Sequence, residues 1–128
     1  MANIGYIQVV RHCNHFCGFC SNPTTPYVHT FDTMKVLVDD LVARDYFGVI
    51  LTGGEPSLHP ELPRFVAHAR ACGFRTVEIQ SNGVRASDRA YAAALVAAGL
   101  TKATVSLHSM DPTASDAITR MPGAFHRT

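Results

Sequence analysis

Three cysteines fall within one stretch of eight residues, Cys13-Asn14-His15-Phe16-Cys17-Gly18-Phe19-Cys20, separated by three and then two residues. Three thiolates on so tight a loop can reach three corners of a cubane iron–sulfur cluster, and Gly18 relieves backbone crowding between the last two. The remaining cysteine, Cys72, lies at the end of a predicted helix that would carry it to the opposite end of the fold. A fourth protein thiolate is therefore not expected, and one iron would stay open to a non-protein ligand. Zinc is the competing reading: Cys17 and Cys20 form a knuckle, and Cys13 with one of His12, His15 or His29 closes a tetrahedron. Both metals accept thiolates, so the loop by itself leaves the choice open.

A second group with chemical potential is Gly53-Gly54-Glu55-Pro56. Two glycines let the backbone approach a ligand closely, and the carboxylate and proline that follow fix a charged, rigid turn beside it. The same residues also make an ordinary turn. Further along come Ser81-Asn82-Gly83 and Val105-Ser106-Leu107-His108. Asn-Gly is a common turn, and Ser106 could hydrogen-bond within a sheet. His108 could donate to a ligand, although a lone histidine is more often structural. His12, His15, His29 and His59 fall near strand ends with no spacing that marks one as an acid or base; His68 reads as structural.

What must position these groups is legible in the periodicity. Apolar, β-branched runs at Tyr6 to Val10, Val49 to Thr52, Thr76 to Gln80 and Ala103 to Leu107 predict four strands. Between them, Met34, Leu37, Val38, Leu41 and Val42 follow helical spacing after Asp32, a plausible N-cap. A second helix is predicted from Pro60 to Gly73 over Leu62, Phe65, Val66 and Ala69, a third from Ser87 to Gly99, and a fourth from Asp111-Pro112. Strand–helix alternation predicts an α/β fold with a parallel βα-repeat sheet, its strands buried on both faces. In such folds the chemistry gathers at the carboxyl ends of the strands, where all the segments above fall.

Composition narrows the classes. The chain has 128 residues, 47% of them hydrophobic, which suits one domain with a core. Eleven basic and ten acidic residues are well mixed, for a net charge of +1, so no footprint for nucleic acid or an acidic membrane is evident. Neither a secretory leader nor a membrane-length apolar run is present, and a cytoplasmic protein is expected. In a reducing compartment the crowded cysteines favour metal over disulfides.

The cysteine spacing after a first strand, with Phe19 before the last cysteine, and Gly-Gly-Glu-Pro at the next strand end together resemble the radical S-adenosylmethionine (SAM) enzymes. The resemblance implies a [4Fe–4S] cluster on Cys13, Cys17 and Cys20, with SAM on the open iron through its amino and carboxylate groups. It places Phe19 against the adenine, Gly53, Gly54, Glu55 and Pro56 around the SAM amino group, and Asn82 and Ser106 near its carboxylate and ribose, with His108 able to donate to cofactor or substrate from the strand end. It implies reductive cleavage of SAM to a 5′-deoxyadenosyl radical that takes hydrogen from a substrate, a peptide or small natural-product intermediate, with a flavodoxin or ferredoxin as electron donor. The stretch Asp116 to Phe125 resembles a structural segment of the family. The family fold is a partial (β/α)6 TIM-like barrel, so residues 1–128 read as its first four βα units, an incomplete, truncated core whose fourth strand has an uncovered edge and whose activity alone is in doubt. The alternative is a non-catalytic zinc- or Fe–S-binding interaction module.

Overall fold

A computed structural model describes residues 3–128. Four parallel strands, β1 (Ile4–Val10), β2 (Gly48–Gly53), β3 (Thr76–Ser81) and β4 (Lys102–Val105), form one sheet in the order β1-β2-β3-β4. Each is followed by a helix: α1 (Phe31–Ala43), α2 (Leu62–Ala71), α3 (Arg89–Ala97) and α4 (Pro112–Thr119). Because sequential strands are neighbours throughout, every strand-to-helix turn emerges at the same end of the sheet. None of the described helices is long and apolar enough to cross a membrane.

The register explains the core. Ile7, Leu51 and Ile79 are paired across β1, β2 and β3. With Val9, Val49 and Val77, two residues away on the same face, they pack against Met34, Val38 and Leu41 of α1, Phe65, Val66 and Ala69 of α2 and Leu95 of α3. Phe65, Met34, Leu51 and Leu62 are among the largest fully buried side chains. Burying such a side chain is worth about 1.5–3 kcal/mol each, and this layer is the main force holding helices to sheet.

The opposite face departs from expectation. Tyr6 is 64% exposed, Gln8 is exposed, and all four residues of β4 are exposed, so the edge strands are not buried on both faces, whereas Gly48 to Leu51 of β2 and Val77 to Ile79 of β3 are. The helices cover a single face; the other carries Tyr6, Gln8, Thr52, Gln80 and Thr104 around a buried Ile50. Glu78, on that face, is nevertheless buried, because its carboxylate accepts from Thr104 Oγ1 at 2.6 Å and pairs with Lys102 Nζ at 3.1 Å. The fourth strand stops at Val105 rather than Leu107, with one further ladder bond from Ser106 N–H to Ser81 O.

Three helix starts also shift. Thr30, not Asp32, caps α1, its Oγ1 accepting from Thr33 N–H at 3.2 Å. Asp88, not Ser87, caps α3 through Ala90 N–H, while Ser87 Oγ donates back to Val84 O. α2 begins at Leu62 rather than Pro60, since a separate 3-10 turn (Pro56–Leu58) comes first and His59 Nδ1 accepts from Glu61 N–H. α4 begins where expected, at Asp111-Pro112, and Asp111 caps it by accepting from Ala114 N–H at 2.8 Å.

Candidate functional site

The cysteine loop leaves the carboxyl end of β1 and is pinned at both its flanks. On one side Phe16 and Gly18 N–H groups donate to the carbonyls of Thr119 and Ile118, the unsatisfied last-turn acceptors of α4. α4 is itself held by Asp116, whose carboxylate accepts from Phe125 N–H at 2.9 Å and Gly123 N–H at 2.6 Å, bonds that lower its pKa. The segment from Asp116 to Phe125 thus buttresses the loop, a role that local sequence does not reveal.

On the other side stands the end of β2. Gly54 N–H donates to Val10 O and Glu55 N–H to His12 O, so this turn is stitched directly onto the start of the cysteine loop. Gly53 has φ +154°, and a Cβ on Gly53 or Gly54 would overlap the Val10 or His12 carbonyl. The glycines are needed for that backbone-to-backbone approach, and not only for approach to a ligand as the sequence suggests.

Expected to receive a cationic ligand group, the Glu55 carboxylate borders the space over the strand ends, yet it is 1% exposed and already accepts three hydrogen bonds within the protein. Oε1 accepts from Ser57 N–H at 3.0 Å and Ser81 Oγ at 2.7 Å, and Oε2 accepts from Asn82 N–H at 2.7 Å. The acid clasps the end of β2 to the end of β3. Pro56 is buried in the first position of the 3-10 turn.

Around these anchors two adjoining cavities open at the carboxyl ends of the strands. One, about 290 Å³, is lined by Cys13, Cys17 and Cys20 together with His15, Phe16, Asn22, Thr24, Gly54 and Arg120. The other, about 220 Å³, shares the three cysteines, His15 and Gly54 and continues past Phe19, Gly53, Glu55, Asn82, Ser106 and His108, over Thr52, Gln80 and Ser81. Phe19, 66% exposed, meets His108 edge-on at 5.0 Å between ring centroids, on the rim. Asn82 Nδ2 donates to Asn14 Oδ1 at 2.6 Å and lies 4.0 Å from Cys13 Sγ, while Asn82 Oδ1 accepts from Val84 N–H across the turn at Gly83, φ +79°.

The donor set suits an iron–sulfur cluster. Three thiols face shared space, and His15 N–H is already directed at Cys13 Sγ at 3.3 Å, the kind of contact that tunes a cluster sulfur. Burial pushes the Cys13 and Cys17 thiols up, with Glu55 adding to the effect on Cys13. Metal binding must therefore displace protons from them. Cys72 sits at the C-cap of α2, where the chain turns back toward the start of β3 at the far end of the sheet. Among the histidines, His59 is structural: Nε2 lies 2.7 Å from His29 O and the ring is 1% exposed. Arg120, Thr52 and Gln80 were not legible as site residues. Arg120 reaches the cavity only because it caps α4 in a left-handed conformation, φ 54°.

A parallel βα sheet with a three-cysteine loop at the end of its first strand defines an α/β protein with a candidate metal centre. The family model described as the Radical SAM superfamily matches residues 7–127, and the chain belongs to that superfamily. The family uses a [4Fe–4S] cluster and SAM. A GTP 3′,8-cyclase of Synechococcus elongatus is 40% identical over 114 residues, covering 84% of this chain and 34% of the relative. Among solved structures, SuiB of Streptococcus suis matches with a TM-score of 0.79 at 15% identity, over 99% of this chain and 28% of that one. BtrN in complex with AdoMet and 2-DOIA matches with a TM-score of 0.71 at 20% identity, over 99% and 55%. These likenesses give the fold: four βα units of a TIM-like partial barrel. The chain spans about a third of the length of the curated relatives it matches.

Proposed function

We propose that Cys13, Cys17 and Cys20 hold three irons of a [4Fe–4S] cluster and that SAM occupies the adjoining cavity against the fourth. The observation that carries this is the shared lining: the same three thiols border both cavities, and the second extends over the ends of β2, β3 and β4. Bound together, cluster and SAM supply one-electron cleavage of the sulfonium C–S bond and a 5′-deoxyadenosyl radical. The residues of the chain bind, orient and exclude water. The Gly53-Gly54 backbone offers the closest approach for the polar end of SAM. Asn82, Ser106 and His108 border the remainder with hydrogen-bonding groups, and Phe19 offers an aromatic surface at the rim. Glu55 and Pro56 act as positioning residues.

The reaction class is hydrogen abstraction from an organic substrate, a peptide or a small natural-product intermediate, with a flavodoxin- or ferredoxin-type donor. GTP, named in the relative from Synechococcus elongatus, is the first compound to test. Anaerobic reconstitution should give a brown protein with about four irons per chain, a reduced-cluster EPR signal that changes on adding SAM, and 5′-deoxyadenosine under dithionite. Replacing any one of Cys13, Cys17 or Cys20 by Ala should abolish iron binding, whereas Cys72→Ala should retain it. A colourless protein with no iron and one zinc that is lost on replacing Cys13, Cys17 or Cys20 by Ala would instead support a non-catalytic zinc module.

A further inference from the structure

The helix layer carries a second set of metal-ligating side chains that the radical site does not use. His68 and Cys72 are four residues apart and project from one face of α2. Cys72 Sγ lies 3.5 Å from His68 Nε2. From α1, Asp39 reaches the same point: one ligand atom each of Asp39, His68 and Cys72 lies within 4.8 Å of the other two.

Each member is available and two are held in place. The His68 ring packs edge-on against Phe31, 5.3 Å between centroids, which fixes its plane. Cys72 is half-buried against the core at the C-cap of α2, and its N–H donates to His68 O at 3.0 Å. Asp39 is exposed and takes part in none of the ion pairs found among the described residues, so its carboxylate can swing. Zinc bonds of about 2.0–2.3 Å to nitrogen, oxygen and sulfur require tetrahedral donors roughly 3.5 Å apart. The sulfur–nitrogen pair already has that spacing, and only the mobile acid must close in.

We propose that Asp39, His68 and Cys72 bind one zinc ion, with water as fourth ligand, clamping α1 to α2 at the end of the sheet remote from the cysteine loop. One sulfur, one imidazole and one carboxylate suit a borderline cation such as zinc. Magnesium and calcium prefer oxygen alone, and an iron–sulfur cluster would demand more thiolates. The site is independent of the radical reading, because none of its ligands borders the cluster cavity.

The test uses the full chain with its cluster reconstituted, dialysed to equilibrium against zinc buffered by a weak chelator, with zinc and iron counted and Zn K-edge absorption recorded. About one zinc per chain with a single sulfur scatterer is expected. Cys72→Ala and His68→Ala should each weaken zinc retention by more than tenfold, and Asp39→Asn by about tenfold, with the iron count unchanged; the iron also reports that each variant is folded. Failure of the parent protein to retain zinc, undiminished zinc in both Cys72→Ala and His68→Ala, or a spectrum with three sulfurs that places the ion on the cysteine loop would each overturn the proposal.

Discussion

At the scale of single residues, Glu55 is the group whose environment constrains it most. Buried and accepting three hydrogen bonds from Ser57, Ser81 and Asn82, it joins two strand ends that would otherwise be linked only through the sheet ladder. An amide at this position keeps the shape but turns one acceptor into a donor facing the Asn82 N–H or the Ser57 N–H. Glu55→Gln should therefore cost about 2–3 kcal/mol in equilibrium denaturation, the penalty of leaving buried donors unpaired. Chain spacing marked Glu55 as chemically interesting but could not tell a ligand-facing acid from a structural clasp, since the partners that decide it lie 26 and 27 residues away. For the cysteines the opposite holds: their proximity follows from the short covalent path between them.

Among elements, α4 and the turn after it do more for the site than their distance along the chain suggests. The last carbonyls of α4 receive the cysteine loop, and Asp116 ties the following turn to the helix through Gly123 and Phe125. Those bonds favour the charged carboxylate and lower its pKa from an ordinary 3.8. A lowered native pKa means stability that is fully present above the ordinary value and is lost as the pH falls through the native one. Asp116→Asn should thus melt below the parent protein at neutral pH, and the gap should narrow as the pH drops beneath the ordinary carboxyl range, as followed by circular dichroism. The N-cap of α4 at Asp111 was readable because capping is local. The shifted starts of α1 and α3 were not, because neighbouring polar residues compete for each cap, and that of α2 was not, because a 3-10 turn precedes it and its N-cap Glu61 makes no side-chain cap bond.

On the scale of the whole molecule, stability rests on one apolar layer between the sheet and α1 to α3, while the other face of the sheet carries mostly polar side chains around Ile50. Phe65 lies near the centre of that layer, against His59 at 4.3 Å and Phe31 at 5.9 Å between ring centroids. Phe65→Ala should cost about 3–5 kcal/mol, a large share of the roughly 5–15 kcal/mol typical of a domain. Its urea midpoint should fall sharply even though no site residue has changed. The apolar runs announced strands but overstated the burial of the last one: Val105 and Leu107 are each 46% exposed.

The sequence by itself determined the ligand spacing of the cysteine loop, the βα alternation and the placement of every chemically interesting segment at a strand end. Each of these depends on residues close along the chain, or on periods of two and 3.6 residues that any local window contains. Only the tertiary structure decided that Glu55 turns inward, that Arg120 borders the cluster cavity, and that Asp39 meets His68 and Cys72. Those pairings join residues tens of positions apart, and they follow from sheet register and helix packing that no local pattern encodes.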